Sequence, residues 1–112
     1  MSTEEISLSD AQIEEAARLF ATLSEPSRLR LLKTLMSGPR TVGELVEETG
    51  LKQGNVSKQL AALAQARFLS RERDGNFARY RIRDPLVHDL CRLVCAKLER
   101  DAREHLGAMS GR

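Results

Sequence analysis

The chain has 112 residues, 41% of them hydrophobic and 30% charged, with a formal net charge of +2, two cysteines and four aromatic residues. That is one domain with a modest core, with too few aromatic platforms to bind single-stranded nucleic acid by stacking and no apolar run near the roughly 20 residues that span a membrane. The small net charge hides a segregation: residues 1–25 hold six acids and one arginine, whereas residues 51–83 hold eight Lys/Arg and two acids. Such an imbalance favours a polyanion at one face. The acidic N-terminus has no signal-peptide pattern, so a cytoplasmic protein with reduced thiols is expected.

In chain order, residues 1–8 are expected to form a flexible arm, residues 9–106 one folded domain and residues 107–112 a flexible tail. Ser9 and Gln12 have the spacing of a capping box, opening a helix to about Leu23 with Ile13, Ala16, Ala17, Phe20 and Leu23 on its apolar face. Pro26 suits the first position of a second helix, with Leu29, Leu32, Leu35 and Met36 inward and Gly38-Pro39 as its stop. Thr41 and Glu44 repeat the capping-box spacing and open a short third helix that Gly50 ends.

A fourth helix follows from about Gln53 to Gln65. Val56, Leu60 and Leu63 recur at i, i+4 and i+7, a core-facing stripe. Gln53, Asn55, Ser57, Lys58 and Gln59 lie outside that stripe, and side chains of these types can bond base edges or phosphates. Two short helices joined by a tight glycine-containing turn make a helix-turn-helix. The period then changes to two around Asp74-Gly75-Asn76, a strong hairpin signal. Arg71, Arg73, Arg79, Arg81 and Arg83 all have odd numbers, and simple alternation places them mostly on one face of the ribbon.

Asp84-Pro85 caps a long last helix to about Leu106. Leu86, Val87, Leu90, Leu93, Val94, Leu98 and Ala102 give it a broad apolar stripe. With the stripe of the first helix, this predicts a two-fold homodimer through the first and last helices. The fold class is mainly α with a β-hairpin wing, a winged helix-turn-helix in the order four helices, two strands, one helix.

That order resembles the ArsR/SmtB-type family of bacterial repressors. Leu23-Ser24-Glu25-Pro26-Ser27-Arg28-Leu29-Arg30-Leu31-Leu32, Gly43-Glu44-Leu45, Val56-Ser57-Lys58-Gln59-Leu60-Ala61-Ala62-Leu63, Arg73-Asp74-Gly75 and Tyr80-Arg81-Ile82 carry the likeness over about residues 12–100. The resemblance implies a homodimeric repressor on double-stranded DNA with an inverted-repeat operator, released by a small inducer. It implies DNA contacts at Gln53, Asn55, Ser57, Lys58 and Gln59, and phosphate contacts at wing Arg73 and Arg79. Two departures stand out: Gln59 replaces a frequent His, and Arg67 replaces a usual Gly, so Arg67 either adopts a left-handed conformation or ends the helix differently.

The family's two metal sites are not expected here. Thr41 and Gly43 stand where one group of relatives has a Cys-x-Cys pair. Leu86, Lys97 and Arg100 stand beside Asp84 where others have zinc ligands, leaving no imidazoles. No cofactor is expected. His88, Cys91 and Cys95 share one edge of the last helix. Cys91 and Cys95 are either small buried hydrophobes or a thiol sensor for persulfide, oxidant or soft electrophile. A soft-metal or arsenite site completed by the partner chain is the third alternative. An enzyme is excluded, because no nucleophile–base–acid set and no phosphate-cradling glycine loop is present. A winged-helix protein-interaction module would have a neutral or apolar recognition helix, unlike this one.

Overall fold

The computed structural model describes residues 7–109, so the first six residues of the expected arm and the last three of the expected tail lie outside the described residues. Five helices and three strands follow one another: α1 (Asp10–Thr22), α2 (Pro26–Leu35), β1 (Arg40–Thr41), α3 (Val42–Thr49), α4 (Gln53–Gln65), β2 (Leu69–Asp74), β3 (Phe77–Ile82) and α5 (Leu86–Met109). The winged helix-turn-helix is present, and α5 runs past Leu106 to Met109.

The helix ends form for the reasons visible in their side chains. Ser9 Oγ accepts from the Gln12 amide at 3.2 Å while Gln12 Oε1 accepts from the Ser9 amide at 2.9 Å. Thr41 and Glu44 close the same reciprocal pair at 3.2 and 2.8 Å. Such boxes satisfy amides that the first helical turn leaves open. At α2 the Glu25 carboxylate does this work, accepting from the Ser27 and Arg28 amides.

The core is a single cluster. Leu31, Leu32 and Leu35 of α2, Leu45 of α3, and Val56, Leu60 and Leu63 of α4 meet Phe68, Leu69 and Val87. Apart from Val87, α5 contributes only the half-buried Cys91 to this cluster, α1 contributes Leu19, and Leu23 joins it from the C-terminal cap of α1. α1 has no buried residue at all. Ile13 and Phe20 on α1 stay more than half exposed, as do Leu93, Val94, Leu98 and Leu106 on α5. The Cα radius of gyration is 17.5 Å, against about 13 Å for a compact chain of this length.

The sheet holds one strand more than the sequence suggests. β1 pairs antiparallel with β3, giving the order β1-β3-β2. Two residues are too few to show alternation, and Thr41 is at once the end of this strand and the cap of α3.

The hairpin also corrects the expected placement of the arginines. Asp74 pairs with Phe77, so the loop is two residues, Gly75 and Asn76, and Gly75 supplies the positive φ of 63° at its first position. With this register each odd-numbered residue of β2 opposes an even-numbered residue of β3. Opposed residues share a face. Arg71 and Arg73 therefore lie with Tyr80 and Ala78 on one face, and Arg79 and Arg81 lie with Glu72 and Ser70 on the other.

Arg67 is the left-handed residue that closes α4, with φ of 67°. Its amide donates to Ala64 O and the Phe68 amide donates back to Leu63 O, both at 3.0 Å. With Phe68 and Leu63 both buried, this is a Schellman ending in which a non-glycine takes glycine's place. A side chain in that region costs about 1–2 kcal/mol, and glycine returns part of the gain through a freer unfolded chain. Arg67→Gly should therefore raise stability by about 0.5–1 kcal/mol in urea unfolding; a loss would show that the arginine side chain outweighs the strain.

Candidate nucleic-acid interface

α4 has two polar sides with different fates. Gln53, Ser57 and Lys58 are exposed, together with Gly54 and Ala61, on the face away from Val56, Leu60 and Leu63. Lys52 precedes them without a side-chain cap bond, so the leading amides of α4 are open. Open amides at a helix start, with the dipole behind them, favour an anion.

Asn55 and Gln59 are turned elsewhere. Gln59 is only 7% exposed, which corrects the expectation that it lies outside the buried stripe. Arg28 Nε donates to Gln59 Oε1 at 2.8 Å, and Gln59 Nε2 donates to Asn55 Oδ1 at 2.9 Å. Asn55 Nδ2 then donates to Ser27 Oγ at 3.2 Å. These two side chains bond α2, not the solvent side of α4. Hydrophobic periodicity does not reveal this, because Gln59 adjoins the stripe and is polar. Arg28 and Ser27 were not candidates from sequence. The available signal was a cation in the first turn of a helix, where the dipole disfavours it unless an acceptor holds it.

The wing sorts its cations by partner. Arg79 Nε donates to Asp74 Oδ2 at 2.8 Å, and a second guanidinium nitrogen donates to Glu44 Oε1 at 3.3 Å. The Asp74 bond, then the charge of Glu44, push the Arg79 guanidinium above its ordinary pKa. In turn the Thr41 backbone bond, helped by the Thr41 hydroxyl and the charges of Arg79 and Arg40, holds the Glu44 carboxyl below its usual value against desolvation. Arg81 pairs with Glu72 at 2.8 Å and bonds Ser70 Oγ. By contrast Arg71, Arg73 and Lys58 have no hydrogen-bond or ion-pair partner among the described residues. The uncompensated positive charge of this region thus includes β2 and the outer face of α4, with Lys52, Arg67 and Arg83 likewise without a side-chain partner among the described residues.

On α5, Cys91 is half-buried against the core and Cys95 is exposed, both as free thiols. Burial, with a smaller contribution from Cys95, pushes the Cys91 thiol up from its ordinary pKa. Among the described residues no group of three or more His, Cys, Asp or Glu side chains is placed to hold a metal ion, and no helix is long and apolar enough to cross a membrane.

Comparison with known proteins bears on this surface. The family model for "Bacterial regulatory protein, arsR family" matches residues 25–71, which run from the cap of α2 into β2. The chain is 41% identical over 81 residues to the probable mercury resistance operon repressor of Streptomyces lividans, covering 72% of this chain but only 65% of that protein's length. It is 34% identical over 92 residues to the biofilm growth-associated repressor of Xylella fastidiosa strain 9a5c, covering 79% of this chain and 81% of the other. Among solved structures, Rv0081 of Mycobacterium tuberculosis superposes with a TM-score of 0.79 at 33% identity, covering 88% of this chain and 99% of that one. The solution structure of Mb0332 from Mycobacterium bovis, described as a homodimeric winged helix-turn-helix DNA-binding domain, gives 0.72 at 28% identity over 85% and 91%.

The two thiols should differ in reactivity, since the thiolate is the nucleophile. Alkylation with iodoacetamide near pH 8, read residue by residue by mass spectrometry, should modify Cys95 first and Cys91 several-fold more slowly. Equal rates would mean that the core does not shield Cys91 in solution.

Proposed function

The chain belongs to the arsR family of bacterial regulatory proteins, a family of transcriptional regulators and not of enzymes, and from that membership we propose that it is a homodimeric, sequence-specific DNA-binding repressor. The observation that carries the reading is the pairing of an exposed polar helix face (Gln53, Ser57, Lys58) with unpaired Arg71 and Arg73 on the strand that follows. The helix has the size to enter a major groove, and the wing arginines have the charge to follow the backbone. Lys58 and Arg73 are phosphate or base contacts in this scheme. Arg79, already held by two carboxylates, serves the architecture of the wing instead.

The dimer rests on the uncovered apolar residues of α1 and α5 and on the extended shape of one chain. A second copy is the occupant that the homodimeric relative Mb0332 supports. Two-fold symmetry would set the recognition helices about 34–36 Å apart on an inverted repeat.

For release by a small inducer, Cys95, exposed on the single chain, is the candidate thiol for persulfide, oxidant or soft electrophile, with Cys91 held back by the core. The names of the mercury-resistance relative and of the antimony-specific repressor AntR keep a soft metal or metalloid as the alternative inducer. Such a site would draw thiols from both copies.

Fluorescence-anisotropy titrations of duplex DNA at increasing salt test the central claim. The log–log slope should be about −0.9 per neutralised phosphate; a flat response removes the DNA reading. Arg73→Ala should reduce that slope by about 1, while Arg79→Ala should leave it nearly unchanged, because its charge is already compensated. If treatment of the protein with hydrogen peroxide weakens binding in the wild type and not in Cys95→Ser, the thiol route stands; equal weakening in both removes it.

A further inference from the structure

We propose that Arg28 is a positioning residue for DNA recognition, acting through Gln59 to fix the rotation of α4 against α2 and to tie α4 to the end of α1. The inference rests on the reading of α4 as the recognition helix.

Arg28 stands where three elements meet. One guanidinium nitrogen donates to Thr22 O, the last residue of α1, at 3.0 Å. Its Nε donates to Gln59 Oε1, and the bonds then run from Gln59 to Asn55 and from Asn55 to Ser27, the residue beside Arg28. The chain of bonds closes on itself, and every link is satisfied.

Its direction is dictated by chemistry. A guanidinium can only donate, so Gln59 must turn its carbonyl to Arg28 and its NH2 to Asn55. Asn55 must then present its carbonyl to Gln59 and its NH2 to Ser27. Both amide planes are thereby oriented, and α4 is held at two positions one turn apart. Gln59 is 7% exposed, so water competes poorly and a broken link would leave a buried polar group without a partner. The apolar contacts of Val56, Leu60 and Leu63 resist separation of the helices but are non-directional. Those contacts fix which face of α4 is buried, and the polar chain narrows the small rotations that they still allow. Because the exposed readers Ser57 and Lys58 share the helix with Asn55 and Gln59, a small rotation of α4 would move them off their base pairs while leaving the protein's charge in place.

The remaining bond gives the device its reach. α1 carries the exposed Ile13 and Phe20 assigned above to the second copy. Its last carbonyl and the recognition helix share one side chain, so a shift at the end of α1 is felt at Gln59 without passing through the core.

The test uses the full-length protein and a preferred duplex obtained by selection from random sequence, with a scrambled duplex as reference. Arg28→Lys keeps the charge but cannot reach Thr22 and Gln59 together. It should cut the ratio of preferred to scrambled affinity about tenfold, the worth of roughly one base pair, with scrambled affinity and salt slope unchanged. Gln59→Glu still accepts from Arg28 but can no longer donate to Asn55, whose amide can turn to donate to the new carboxylate while its carbonyl accepts from the Ser27 hydroxyl. The ratio should therefore stay within about threefold, whereas the apolar Gln59→Leu should lose it. Arg28→Lys combined with Gln59→Leu should be no worse than either alone, the signature of one shared interaction. In 1H–15N spectra without DNA, Arg28→Lys should shift the Gln59 side-chain amide signals. Unmoved signals, or a uniform loss of affinity on both duplexes together with a lower Tm, would overturn the inference and leave the DNA reading intact. If the wild type shows no sequence preference at all, the recognition reading fails and this inference fails with it.

Discussion

Because Val56, Leu60 and Leu63 are fully buried against α2, α3 and the base of the sheet, α4 is the element against which most of the others are placed. Each such side chain contributes about 1.5–3 kcal/mol by leaving water, a large share of the marginal stability of a small domain. One face of α4 must therefore stay inside, and only the opposite face is available for contact with anything else. α1 and most of α5 lie outside this arrangement, and their apolar side chains are left over once the single core is filled. A small core and long end helices are two sides of one limitation: a body of this size cannot cover them alone.

Charge is organised as sharply as apolar surface. Of the wing arginines, Arg79 and Arg81 have their own carboxylates within the sheet or on α3, and Arg71 and Arg73 have none among the described residues. Exposed pairs of this kind add little to stability. Their effect is to fix where the net positive potential is found, because a paired guanidinium is a weak attractor for a phosphate and a free one is a strong attractor. Glu44 has a double part in this, since the oxygen that caps α3 also receives Arg79 and so joins the helix-turn-helix to the wing.

Local chemistry was the legible part of the sequence. The boxes at Ser9/Gln12 and Thr41/Glu44, proline at the head of α2, the limits of α4 and the hairpin loop all follow from residues within a few positions of one another, and each is found. On α2 the inward face falls on Leu31, Leu32 and Leu35, and Leu29, expected inward, is exposed; the other features that escaped were long-range. The parity of the arginines depends on which residue of β3 faces which of β2, a matter of loop length to the single residue. The burial of Gln59 depends on an arginine 31 positions earlier. β1 has two residues and becomes a strand only because β3 lies beside it. At Arg67 the sequence left two outcomes open, and the left-handed one is found.

The sheet order β1-β3-β2 places β3 between neighbours and leaves β2 with one side unpaired. A bare strand edge offers a row of amides and carbonyls to any similar strand, the usual start of edge-to-edge aggregation. β2 answers with the run Ser70-Arg71-Glu72-Arg73-Asp74, whose charged side chains are costly to desolvate when two such edges meet. Charge along this open edge, Arg71 and Arg73 included, opposes the addition of one wing to the sheet of another. Exchanging these two arginines for apolar, β-branched residues would remove an attraction for phosphate and also create a sticky edge, so poor solubility in such variants would have an origin separate from any loss of DNA binding.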